Sequence, residues 1–155
     1  DNIMSKYNNT VKSIVKAIVD HNGTNDRHSI HDLLADINFG ICNDFTVDYD
    51  GREYRIIEND YIESIMKDEL SSDTYLLGCF NAWFLSDIMN IPMDAIEKIQ
   101  SSDCYDALGI IISNNDEMMN ELVDKYISTD GAGHHFSSYD GSENDCGEYT
   151  VFCIN

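Results

Sequence analysis

The stretch "CNDFTVDYDGREYRII", residues 42–57, decides how the rest of the chain is read. Phe45, Val47 and Tyr49 alternate with other residues up to Asp50-Gly51, and Tyr54 and Ile56 resume the alternation beyond it. A period of two is that of a half-buried strand, and Asp-Gly suits the positive φ angles of a two-residue hairpin turn. A β-hairpin is therefore expected here. The calcium-loop alternative fails: with Gly51 as sixth residue, Thr46 and Ile57 would stand where the first and last ligands belong.

Outside this hairpin the apolar period changes to that of helices. Tyr7, Val11, Ile14, Val15 and Ile18 share one face of a helix expected from about Lys6 to His21, with Gly23 as its stop. A second helix, capped by Ser29 with Asp32 at the capping-box position, would carry Ile30, Leu33, Leu34 and Ile37 and end at Gly40. From Asn59 to about Ser128 the chain reads as almost wholly helical. Tyr61, Ile62, Ile65, Met66 and Leu70 point inward on one helix. Leu76, Leu77, Phe80, Trp83, Phe84 and Ile88 cover enough of the next, starting at Ser72 or Asp73, to make it the central one. Met93, Ile96 and Ile99 follow Pro92, "CYDALGIII" (104–112) fits either helix or strand, and Asn114 or Asn115 caps a last helix through Ile127.

The end of the chain, "GAGHHFSSYDGSENDCGEYTVFCI" (131–154), reads as a second hairpin with a longer loop around Asp140-Gly141. Tyr149, Val151 and Cys153 alternate with Thr150, Phe152 and Ile154, so both faces are apolar and the strand belongs inside a sheet. The expected fold is α+β: one domain over residues 1–155, a helical body packed on a small antiparallel sheet made from two β-hairpins.

The same C-terminal stretch gathers most of the chemistry-bearing side chains. His134, His135, Cys146 and Cys153 offer zinc donors, but adjacent histidines on a strand diverge and the cysteines lack the close pairing of structural sites. Cys146 with His134 or His135 could be drawn as a nucleophile and base. A small enzyme or zinc-binding protein built on this hairpin is thus the alternative reading. No G-x-S-x-G, Walker A or G-x-G-x-x-G run supports it, and no catalytic residue, metal ligand or cofactor is assigned. The five cysteines are odd in number and include no C-x-x-C pair, which favours reduced thiols and a cytoplasmic setting. The longest apolar run, residues 75–85, is about half a bilayer span, and no basic-then-apolar leader opens the sequence, so neither membrane insertion nor export is expected.

Charge is the strongest bulk signal. Nine Lys+Arg stand against 29 Asp+Glu, a net −20. That disfavours direct contact with nucleic acid or an anionic membrane and favours a basic protein groove. Solubility alone is the plainer explanation of such a surface. Yet the carboxylates recur through ordered-looking elements instead of forming a tail, and holding them together costs stability. Partner-binding candidates are Asp48, Asp50 and Glu53 on the first hairpin, Glu63, Asp68 and Glu69 on the following helix, Glu117, Glu121 and Asp124 on the last, and Asp140, Glu143 and Asp145 near the C-terminus. About 20 excess charges match the charge on roughly 34 Å of duplex DNA, or ~10 base pairs.

Acidity without a catalytic constellation resembles the small antirestriction and anti-defence proteins of phages and mobile elements, of the ArdA-type DNA mimics. "GHHFSSYDGSE" (133–143), followed by "YTVF" (149–152) and Asn155, is similar to the end of many small phage proteins over about 25 residues. The resemblance implies an inhibitor of a restriction enzyme or CRISPR effector in the host cytoplasm, binding stoichiometrically in the channel for DNA or RNA. The implied partner is a basic nucleic-acid-binding protein. A homodimer is left open.

Overall fold

A computed structural model describes residues 3–155, with side chains from Ser5 onward. The chain gathers into two compact units, one made of the N-terminal part through Ile62 together with Asp130–Asn155, the other of Glu63–Thr129.

The first unit holds the sheet. After a 3-10 turn at Ile3–Lys6, α1 (Asn9–Asn22) starts where the Asn8 side chain accepts the Val11 N–H at 2.9 Å, and stops at Gly23, whose φ is +86°. Helix α2 (Arg27–Gly40) begins earlier than expected, because Asp26 and not Ser29 is the cap. Ser29 is instead the donor: its N–H and its hydroxyl both reach the Asp26 carboxylate at 2.9 Å. Those bonds hold the Asp26 carboxyl below its usual range.

Strands β1 (Asp44–Tyr49) and β2 (Arg52–Glu58) form the expected hairpin, with φ of 47° at Asp50 and 78° at Gly51, as a type I′ turn requires. β4 (Tyr149–Cys153) pairs antiparallel with β2, and the two-residue β3 (Asn144–Asp145) pairs with β4, giving the order β1-β2-β4-β3. One four-stranded antiparallel sheet thus joins both hairpins, and the fold is α+β. All five residues of β4 are buried, as its two apolar faces imply. On one face Tyr49, Tyr54, Ile56, Val151 and Cys153 pack with Val11, Ile14, Val15, Ile18, Leu33, Leu34 and Ile37 from α1 and α2. On the other, Phe152 lies 5.0 Å from Phe136 of the short helix α9 (Ala132–Phe136).

The second hairpin differs from expectation in detail. His134 and His135 lie on α9 and not on a strand. The chain reverses at residues 146–148, where the Gly147 N–H bonds the Asp145 carboxylate at 3.1 Å, and not at Asp140-Gly141.

The second unit is helical: α3 (Ile62–Ser71, after a 3-10 turn at Asn59–Tyr61), α4 (Thr74–Gly78), α5 (Ala82–Met89), α6 (Met93–Ser101), α7 (Tyr105–Ser113) and α8 (Asp116–Asp130). The single central helix expected from 72 to 88 is broken into α4 and α5. The end of α4 is packed tightly against α7. A Cβ on Gly78 would sit 1.9 Å from the Tyr105 carbonyl oxygen, and one on Gly109 would sit 1.7 Å from that of Thr74, so α4 and α7 meet backbone to backbone. Gln100 then donates to the carbonyls of Gly78 and Phe80 at 2.9 and 2.8 Å, satisfying acceptors that the break would orphan. Leu77, Phe84, Leu85, Ile88, Ile96, Leu108, Ile112, Met119 and Leu122 are buried. Leu76 and Trp83, expected inside, are 42% and 50% exposed. "CYDALGIII" resolves to helix, and the Asn115 side chain accepts the Met118 N–H ahead of α8. Among the described residues no helix is long and apolar enough to cross a membrane.

Candidate functional site

The charge divides evenly. Six Lys+Arg against 16 Asp+Glu fall in the first unit and three against 13 in the second, a net −10 in each. Several cations are occupied internally. Arg55 reaches Asp44 through both Nε and Nη2, at 2.9 and 2.7 Å, with its guanidinium 4.9 Å from the Phe136 ring centre. Lys16 binds Asp20 at 2.7 Å, Lys67 binds Asp116 at 2.6 Å, and Lys125 binds Asp87. Arg52 lies over the Tyr139 ring at 3.8 Å and donates to its hydroxyl.

The twelve candidate carboxylates do not share one setting. Asp48 and Glu53 stand directly opposite on β1 and β2, hence on the same face of the sheet. Like charges in that relation repel, so the pair costs stability. Asp50 accepts the Thr24 hydroxyl, which ties the hairpin turn to the α1–α2 connection. Asp140 accepts from His21 Nε2 at 2.7 Å and from the Ser142 N–H at 3.0 Å, and Asp145 holds the 146–148 turn. Glu143 lies against Gly131: a Cβ there would be 2.5 Å from a Glu143 carboxylate oxygen. In the second unit Glu63 opens α3, Asp68 is exposed and Glu69 is half-buried. Glu117, Glu121 and Asp124 are exposed on α8, and their spacing of four and three puts them in one stripe about 10 Å long. Asp50, Asp140 and Asp145 therefore serve the fold of the first unit as well as its charge. The α8 stripe has no such internal duty within the interactions described.

The His21–Asp140 contact belongs to a network that the sequence did not reveal. An ionised carboxylate only accepts, so His21 Nε2 carries the proton toward Asp140. Nδ1 lies 2.9 Å from the Tyr54 hydroxyl, while Asn22 donates to that hydroxyl at 3.3 Å and to the Tyr49 carbonyl at 3.1 Å. Tyr54 is fully buried. Burial opposes the charge of Asp140, but the hydrogen bonds from Ser142 and His21 outweigh it and hold the carboxyl below its ordinary range. His21 and Asp140 are distant in sequence, and no spacing rule joins them.

Among the reactive-looking C-terminal side chains, His134 and His135 lie on α9, Cys146 at the 146–148 turn and Cys153 on β4. Cys146 is pushed up to about 11, by burial first and then by the nearby Asp145 charge, and its thiol lies 3.2 Å from the Tyr149 carbonyl oxygen. A protonated, half-buried thiol is a poor nucleophile. Cys153 is fully buried in the core and raised for the same first reason. Among the described residues no group of three or more His, Cys, Asp or Glu could hold a metal ion.

No family model matches the chain, and no curated protein or solved structure matches it either.

Proposed function

We propose that the chain is a stoichiometric inhibitor of a nucleic-acid-binding defence system, of the restriction or CRISPR type. It engages its target through carboxylates that stand in for the phosphates of duplex DNA. The observation that supports this reading is the net −10 carried by each unit, spread along the chain instead of gathered in a tail. Such crowding costs stability through self-repulsion, of which the Asp48–Glu53 pair is the local example. The α8 stripe, Glu117, Glu121 and Asp124, presents exposed carboxylates along one side of a helix. The partner is a basic nucleic-acid-binding protein of the host cytoplasm, attracted by long-range steering. The mechanism asks for no cofactor and no bond-making step from this chain.

A pull-down from host lysate tests it. The captured protein should bind nucleic acid, should be displaced by duplex DNA, and should elute as salt rises. Capture that ignores both DNA and salt refutes mimicry.

A further inference from the structure

We infer that β1 is a docking edge for an extended segment of a partner protein, one that carries Lys or Arg opposite Asp48 and apolar residues beside Phe45 and Val47. The contact is made through the backbone and does not depend on phosphate mimicry.

The strand order leaves two rims. On one, β3 has two residues, too few to template a further strand. On the other, β1 has six. The bonds of the inner strand show where the groups of β1 point. Glu53 donates its N–H to the Asn155 carbonyl at 3.3 Å and accepts from the Ile154 N–H at 2.9 Å, both on the side away from β1. Asp48, directly opposite Glu53, therefore belongs to a pair without mutual hydrogen bonds, and alternation gives Asp44 and Thr46 the same orientation. Their N–H and C=O groups face outward. The Asp44 carbonyl accepts from the Cys42 thiol at 3.3 Å. The backbone groups of Thr46 and Asp48, both exposed residues, bond nothing among the described residues. A strand laid along this rim finds them free, which is the basis of recognition by strand addition.

Side chains select the occupant. Asp48 and Glu53 share the face opposite to that of Phe45 and Val47, which pack on the core. Arg55, two residues along β2 from Glu53, is held by Asp44, and among the described residues neither Asp48 nor Glu53 meets a cation. Asp48 alone is enough to discourage stray strands at an edge. Glu53, half-buried on the inner strand, adds repulsion without guarding the rim. A Lys or Arg opposite Asp48 answers the pair, and apolar residues at alternate positions extend the face of Phe45 and Val47. A second copy does not fit. Paired antiparallel about Thr46, it sets Asp44 opposite Asp48; paired about Val47, it sets Thr46 there, and neither register brings a cation.

The probe is a fluorescein-labelled peptide of about seven residues alternating Lys and Val, compared with the same peptide N-methylated at its lysines, both read by anisotropy at physiological salt. The plain peptide should bind about 10-fold more tightly, because only it can pair with the rim, and the Thr46 and Asp48 amides should gain protection from exchange. Thr46→Pro removes an outward N–H and no ladder bond, and should weaken the plain peptide by about 10-fold. Asp48→Asn should weaken it by about 3-fold. Equal binding of the two peptides, or unchanged exchange at Thr46 and Asp48, overturns the inference and leaves only attraction between opposite charges. Wild-type dimers in sedimentation, dissociated by Thr46→Pro, overturn it in favour of a second copy. Should Thr46→Pro misfold by circular dichroism, the comparison of the two peptides on the wild-type chain decides. Neither peptide involves nucleic acid, so this outcome and that of the DNA competition stand apart.

Discussion

The two units carry the same net charge but differ in how fully they cover their large apolar side chains. In the first, carboxylates act as ties between distant segments: Asp50 to Thr24, Asp44 to Arg55, Asp140 to His21. Its strands close both faces, and Tyr54, Ile56, Val151 and Phe152 are fully buried. In the second, α4 and α7 meet backbone to backbone although two helices separate them in the chain, and six of the nine exposed large apolar side chains among the described residues lie there. A sheet assembled from remote strands needs specific polar links to fix its connections. The short helices of the second unit leave carboxylates such as Glu117 and large apolar residues such as Ile110 at the surface. Binding through large exposed apolar side chains is then expected in the second unit and pH sensitivity in the first.

The largest expected effect tests closure of the sheet. Phe152→Ala empties a fully buried site against Phe136 and should cost about 3–5 kcal/mol in urea unfolding. Amide exchange should show the loss in the sheet. Gly109→Val is the counterpart in the second unit. Its side chain must displace the Thr74 backbone, for a cost of about 1–3 kcal/mol or more. Trp83, the one tryptophan, lies in that unit and reports it by fluorescence. If Gly109→Val lowers sheet protection as much as it shifts Trp83, the contrast between units is not energetic.

Tyr54→Phe removes the hydroxyl that His21 and Asn22 share and should cost about 1–2 kcal/mol. Combined with Asp140→Asn, it should cost less than the sum, since one network is broken twice. The smallest effect is a slope. Asp140 is depressed in the folded chain, so its contribution is present above the ordinary carboxylate pKa and is lost as pH falls through its folded value, below about pH 4. Asp140→Asn should flatten the stability–pH curve in that acid range and leave the neutral range parallel to wild type. An unchanged acid slope would remove the His21–Asp140 link from the comparison.

The first hairpin was legible because its information is local: alternation on both sides and Asp-Gly between them. The second was misplaced because Asp140-Gly141 carries the same signature while the actual reversal rests on Asp145 and Gly147, next to a strand of two residues that shows no period. What Asp140 does depends on His21, at the far end of the sequence and invisible to any window. The break between α4 and α5 was hidden for a related reason. Gly78 hinted at it, but the close approach to Tyr105 and the support from Gln100 are tertiary. For the carboxylates, the sequence placed Asp48 and Glu53 on strands and Glu117, Glu121 and Asp124 on a helix, as found, whereas Asp140 and Glu143, expected on a hairpin, lie outside any helix or strand. Which would be engaged by Thr24, His21 or the Gly147 amide was decided by folding.

The position of β4 has a consequence for biosynthesis. It sits between β2 and β3, so the β1–β2 hairpin is translated long before the strand that covers its open side. Helices α3 to α8 emerge from the ribosome in the interval. During that time the unpaired rim of β2 is a template for any extended segment within reach. Residues 149–153 thus end a period of vulnerability, and slow or interrupted synthesis just before them should send this chain to chaperones or aggregates.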